Sequence, residues 1–160
     1  MAKSAKGKTN AMRKLDSSGI MYERFQYDID DGLLDGASVA VKINRTVEEV
    51  FKTLVTHGSS KQVYVFLVPV QRELSLKKAA SAVEEKKIDM VPVKDIQSIT
   101  GYIKGGCSPI GMKKKYPTFV ANQATNLSSI IVSAGQVGTQ VELSVSDLLQ
   151  VTEAKLVDLT

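Results

Sequence analysis

The chain has 160 residues, 43% hydrophobic and 24% charged, which fits one globular domain with a real core. One cysteine excludes an internal disulfide and fits a reducing cytoplasm. One histidine with no Cys/His cluster leaves almost no material for a metal site, so neither metal nor cofactor is expected. No apolar run reaches the ~18 residues of a membrane span, and the basic N-terminus lacks a secretory apolar region.

In chain order, residues 1–9 read as a basic disordered arm, with the domain running over 10–160. Asn10 caps a short helix in which Met12 and Leu15 share a face, and Gly19 ends it. Ile20 to Asp28 reads as a strand, and Asp28 to Gly36 as an acidic loop. Ala37 to Ile43 is ambiguous, because Val39, Val41 and Ile43 alternate as in a strand. Thr46-Val47-Glu48-Glu49 has the form of a capping box. Val47, Val50, Phe51, Leu54 and Val55 then follow at helical spacing, which predicts an amphipathic helix ending by Gly58.

Val63 to Val68 is a continuous apolar run and predicts a strand buried on both faces. Ser75 opens a helix with Leu76, Ala79, Ala80 and Val83 on one side. Lys94 to Thr100 predicts another, stopped by Gly101. Phe119-Val120, Ile130 to Val132 and Thr139 to Leu143 are strand candidates. Ser144 caps a last helix through Val151, and Ala154 to Leu159 returns as a strand. Helices and strands mix without strict alternation, which predicts an α/β or α+β domain around a mixed sheet.

Between Gly101 and Thr118 the chain is too polar and too broken to be core. Gly105-Gly106 leaves two backbone amides unshielded, Ser108 and Thr118 add hydroxyls, and Lys113, Lys114 and Lys115 add charge. This is how a main chain builds a site for an anionic ligand. With a net charge of +4, the lysine run favours polyanions through counterion release. It has no interleaved aromatics for base stacking, so base-specific readout is not indicated. His57 reads as a solvated turn residue. Cys107 has no histidine beside it to activate it. On the predicted helix Lys52 points about 130° away from the apolar stripe, as an ordinary solvated lysine would.

The order G-Y-x-x-G-G-x-S-P-x-G-x-K-K-x-x-P-T at 101–118 resembles the signature loop of the YbaK/EbsC family of aminoacyl-tRNA deacylases. Val50-Phe51-Lys52-Thr53-Leu54-Val55 resembles that family's V-[FY]-K-T-L segment, and Ser133-Ala134-Gly135-Gln136-Val137-Gly138 its S-x-G-x-x-G turn. The resemblance runs from about Asn10 onward. It implies the prolyl-tRNA synthetase editing-domain fold, with a partly barrel-like mixed sheet surrounded by helices, and a helix at Ala37–Ile43.

It also implies removal of cysteine from mischarged Cys-tRNA(Pro), with Cys-tRNA(Cys) as a further substrate, cleaved by the substrate's own thiol in the cytoplasm. Lys52 then becomes the functional lysine. Gly105 and Gly106 become oxyanion donors, and Tyr27, Thr53, Tyr102, Ser108 and Gly138 line the substrate pocket. Lys113 to Lys115 hold the tRNA. Prolyl-tRNA synthetase is a candidate partner. The family often carries an acid where this chain has Gln140. Two other readings stay open: an Ala-tRNA(Pro) deacylase that uses water, and a non-catalytic RNA- or nucleotide-binding module.

Overall fold

The segment from Thr46 to Gly58 departs most from expectation. A computed structural model, which describes residues 7–160, places a turn at 46–49 and then a strand, β2 (Phe51–Gly58), instead of the predicted helix. One arm of the capping box forms, the Thr46 amide donating to Glu49 Oε1 at 3.1 Å; the Thr46 hydroxyl donates to the same oxygen at 2.9 Å, and the Glu49 amide donates to Thr46 O. Arg45 engages the other carboxylate oxygen of Glu49, and no helix propagates. Phe51 through His57 pair instead with Pro69 through Val63, antiparallel. Phe51, Thr53, Val55 and Thr56 are aromatic or β-branched and favour an extended chain. The helical spacing of the apolar residues was a coincidence of a strand buried in part on both faces, with Phe51, Val55 and Thr56 all inside. His57 therefore lies at the end of this strand, opposite Val63 and Asp89, and not in a solvated turn.

The partner strand β3 (Val63–Pro69) is central, as its unbroken apolar run requires. Val65 to Val68 are fully buried. The rest of this sheet is built from β4 (Ile88–Met90), β5 (Thr118–Ala121) and β8 (Lys155–Val157). Its order is β4-β2-β3-β5-β8, with β3, β5 and β8 parallel. A second sheet, β1-β7-β6, is antiparallel and joins β1 (Glu23–Gln26), β7 (Thr139–Ser144) and β6 (Ser129–Gln136). The sheets meet where Val50 bridges Ile131 and the Ile131 amide donates to Glu49 O at 2.9 Å. They remain two sheets around a shared core and do not close into a barrel.

Five helices flank them among the described residues: α1 (Asn10–Ser17), α2 (Gly36–Lys42), α3 (Leu76–Val83), α4 (Val93–Thr100) and α5 (Val145–Thr152). A 3-10 turn spans Asn122–Asn126. The mixed α/β class holds, and α2 is helical where alternation alone suggested a strand.

Several boundaries shift. Residues 1–6 of the expected arm lie outside the described residues. Thr9 belongs to the fold: its hydroxyl caps α1 by accepting from the Met12 amide at 3.2 Å and donates to Ala134 O at 2.5 Å. Thr9, and not Asn10, is thus the cap, and it docks α1 onto β6. β1 and β8 are shorter than their predicted runs, because only these residues find a pairing partner.

Candidate active site

The glycine loop is held from within. The buried Tyr102 donates its hydroxyl to Ile110 O at 2.7 Å, and Ser108 Oγ accepts from the Ile110 amide at 3.2 Å. The Gly106 amide donates to Ile103 O at 3.0 Å. Gly106 lies so close to the β6–β7 turn that a Cβ would meet Val137 N at 2.8 Å. Gly105 has φ +87, a left-handed backbone that glycine alone adopts freely. Its amide has no hydrogen-bond partner among the described residues.

One face of this loop closes a cleft of about 220 Å³. Lys104, Gly105 and Cys107 come from the loop, and Lys52 and Thr53 from β2. Tyr27 follows β1, Ser133 lies on β6 and Gln140 on β7. Leu34, Val39, Val50, Phe51 and Val70 supply an apolar wall. The seams of both sheets and the glycine loop thus converge here. Lys52 Nζ is 3.7 Å from Glu73, an almost fully exposed acid, so the pair is loose and the lysine stays available to the cleft.

The loop before α2 is pinned over the same cleft. Lys42 Nζ donates to Asp28 O at 2.7 Å, and to Asp31 Oδ1 and Leu33 O at 2.8 Å each. It also lies 5.9 Å from the centre of the Tyr27 ring. The Tyr27 amide donates to Gly138 O at 3.0 Å, which ties the pocket wall to the β6–β7 turn.

Of the residues expected at the site, Lys52, Thr53, Tyr27 and Gly105 come together. Gly106, Tyr102, Ser108 and Gly138 do not line the cleft. Tyr102 and Ser108 turn into the loop, Gly106 packs on Val137 with its amide committed, and Gly138 anchors Tyr27. Lys113, Lys114 and Lys115 line a different groove of about 240 Å³ together with Lys14, and the two cavities share no lining residue. There Lys113 Nζ donates to Ser98 O at 2.9 Å, and Lys115 pairs with Glu153.

Sequence reasoning had not assigned Lys104, Ser133 or Gln140 to the cleft. Lys104 precedes the glycine pair and Ser133 opens the quoted turn, so both lay inside motifs already marked. Gln140 stood out as a departure from the family pattern.

Burial pushes the Cys107 thiol up to about 11, so it is protonated at neutral pH and ill suited to attack. His57 does not line the cleft; its Nδ1 lies 3.2 Å from Gly58 O. No group of three or more His, Cys, Asp or Glu side chains gathers as a metal-ligand set among the described residues. The arrangement offers two lysines, loop amides left unpaired among the described residues at Lys104, Gly105 and Cys107, and the polar side chains of Tyr27, Ser133 and Gln140 beside an apolar wall. That equipment positions a ligand and stabilises negative charge developing on it.

Residues 34–151 match the model of the aminoacyl-tRNA editing domain family, and the chain belongs to that family. It is 41% identical over 158 residues to an Enterococcus faecalis protein named "Putative Cys-tRNA(Pro)/Cys-tRNA(Cys) deacylase EbsC", covering 99% of this chain and 96% of that one. The fold is shared with a solved "putative trans-editing enzyme for prolyl tRNA synthetase", at TM-score 0.85 and 20% identity over 94% of each chain. It is shared also with "hypothetical protein APE2540", at TM-score 0.85 and 16% identity over 94% of this chain and 99% of that one. Deacylation of aminoacyl-tRNA is accordingly the enzymatic class of this chain.

Proposed function

We propose that the cleft removes cysteine from mischarged Cys-tRNA(Pro) in the cytoplasm, acting in trans to prolyl-tRNA synthetase, and that the substrate's thiol is the nucleophile. One observation carries this reading. The cleft combines Lys52, Lys104 and an unpartnered Gly105 amide with no activated protein nucleophile and no carboxylate base. The relative named as a Cys-tRNA(Pro)/Cys-tRNA(Cys) deacylase supports the choice of cysteine.

In the proposed step the cysteine sulfur attacks its own ester carbonyl carbon. The bond from that carbon to the ribose oxygen breaks, and the ribose oxygen takes the thiol proton. A thiolactone and free tRNA leave. The protein's part is orientation and charge stabilisation. The Gly105 amide faces the developing oxyanion, and Lys52 holds the ester or the terminal phosphate as a point charge. Tyr27 and Thr53 bound the aminoacyl group. Tyr102, Ser108, Gly106 and Gly138 act by fixing the walls. The groove of Lys14 and Lys113–Lys115 takes the acceptor stem nonspecifically.

The need is physical. A synthetase pocket rejects a close isostere by only about a hundredfold, so proline sites admit cysteine and a second site must clear it. Steady-state deacylation of Cys-tRNA(Pro), Cys-tRNA(Cys) and Ala-tRNA(Pro) tests the proposal. Turnover of the cysteinyl esters with Ala-tRNA(Pro) left intact is expected. Preference for the alanyl ester would point to attack by water, and binding without turnover of any of them would point to a non-catalytic module.

A further inference from the structure

The cleft is built from cations and neutral groups. Lys52 and Lys104 line it, and no carboxylate does. Glu73, the acid near Lys52, is 95% exposed and offsets charge at the rim only. On the β1 side, Lys42 lies over the Tyr27 ring, and Arg45 lies over Phe25, the residue registered opposite Gln140. Of the acids on that flank, Asp31 is engaged by Lys42, and Glu49 and Glu142 by Arg45; Asp35 caps α2 through Ser38, Asp28 accepts from the Asp30 amide, and neither these nor Asp30 lines the cleft. Cys107, with its thiol pushed up to about 11 by burial, adds no negative charge.

Gln140 lines this cleft and is only 7% exposed, yet its side-chain amide hydrogen-bonds no group among the described residues. Thr53 also lines the cleft, but its Oγ1 is buried away from it, without a partner among the described residues. Polar groups this enclosed are normally satisfied, so the unpartnered Gln140 amide marks the place in the cleft where a ligand's polar group completes it.

Resting on the deacylase reading above, we infer that Gln140 selects the aminoacyl group with its α-amine uncharged. An ammonium would enter with no counter-charge and against two lysines, and burying an unpaired charge costs far more than burying a neutral polar group. A free amine fits the donors and acceptors present. The Gln140 NH₂ donates to the lone pair that only the uncharged amine has. The neutral form is accessible, because α-amines titrate at about 7.7–8.0. Gln140 is thus a specificity-determining residue: it reads the charge state of the substrate amine.

The test compares tRNA(Pro) esterified with cysteine and with 3-mercaptolactate, which keeps the thiol and replaces the amine by a neutral hydroxyl. At pH 8.5 the two KM values should agree within about threefold. At pH 6 the cysteinyl KM should rise by about tenfold or more, as the amine protonates, while the mercaptolactyl KM stays within about threefold. Gln140→Asp should reverse this, favouring the cysteinyl ester at pH 6 by about tenfold, because an adjacent carboxylate stabilises an ammonium. The wild-type comparison stands without that variant. A cysteinyl KM that is flat with pH, or a mercaptolactyl ester bound more than tenfold more weakly at pH 8.5, overturns the inference. If neither ester is cleaved, the deacylase reading fails on its own. The same charge selection is then read from Kd values of the hydrolysis-resistant cysteinyl and mercaptolactyl 3′-amides of 3′-amino-3′-deoxyadenosine at the two pH values. Tighter binding of the cysteinyl amide at pH 6 than at pH 8.5, or no binding of either amide, overturns the inference as well.

Discussion

Gly106 and Val137 are in such close apposition that a side chain at 106 would bring its Cβ to 2.8 Å from the Val137 amide nitrogen. The contact locks the glycine loop onto the β6–β7 turn, which in turn carries Gly138 and the anchor of Tyr27. Gly106→Ala should destabilise the protein by about 1–3 kcal/mol through overpacking against backbone. It should also lower deacylation by displacing Lys104 and Gly105 from the cleft. Thermal melts and turnover measured on the same preparation check both effects; an alanine variant with unchanged Tm and activity would show that the loop has slack.

Lys52 sits on β2 opposite Val68 and lines the cleft, with its ammonium 3.7 Å from Glu73. Lys52→Ala should reduce the deacylation rate by about 10²–10³, the scale of losing one group that stabilises developing charge. Stability should change by no more than about 0.5 kcal/mol, because the Glu73 pair is loose and exposed. Rapid-quench kinetics with urea unfolding distinguish the two effects.

Neutralising Lys113, Lys114 and Lys115 together should weaken tRNA binding and lower the slope of log K against log salt by about two to three units. The groove shares no residue with the cleft, so hydrolysis of a short aminoacyl-adenosine ester should survive. Filter binding across a salt series, run beside that minimal substrate, reads both.

Arg45 clamps Glu49 of the turn before β2 and Glu142 of β7, the latter at 2.6 Å. Its hydrogen bonds hold both carboxyls below their ordinary 4.5. Folded values depressed in this way give stability that is complete above about pH 4.5 and is lost as pH falls through the folded values. Arg45→Met should cost about 1–3 kcal/mol at pH 7, where two partly buried carboxylates lose their donor. The gap from wild type should narrow below pH 4.5. Urea unfolding at pH 7 and pH 3.5 measures the gap, and a constant difference would mean that the clamp acts by packing alone.

Where one local rule ruled the chain, the sequence was legible. Ser75 and Ser144 cap their helices as expected, and the unbroken run at Val63–Val68 became the central strand. The segment around Lys52 was misread because its apolar spacing fits a helix by chance, while pairing with β3 and the β-branched residues decide for a strand. Each of the three marked motifs contributes to one cleft, through Lys52, Gly105 and Ser133, and Tyr27 joins them from outside the motifs. Local sequence does not reveal which loop residues turn inward, so Tyr102 and Ser108 were placed in the cleft although they hold the loop together. Nor could it show that the lysine run faces a separate groove, since that depends on how α1 and α5 pack beside the loop.

The most direct test follows the product of Cys-tRNA(Pro) cleavage by Cys107→Ser. That variant keeps a hydrogen-bonding group of similar size at 107 and removes the protein's one thiol. The account predicts substantial activity, release of a thiolactone before free cysteine, and no reaction once the substrate thiol is alkylated. An inactive Cys107→Ser that still folds would indicate a covalent enzyme intermediate. Normal cleavage of the alkylated substrate would show that water attacks the ester, and either result contradicts a substrate-assisted reaction.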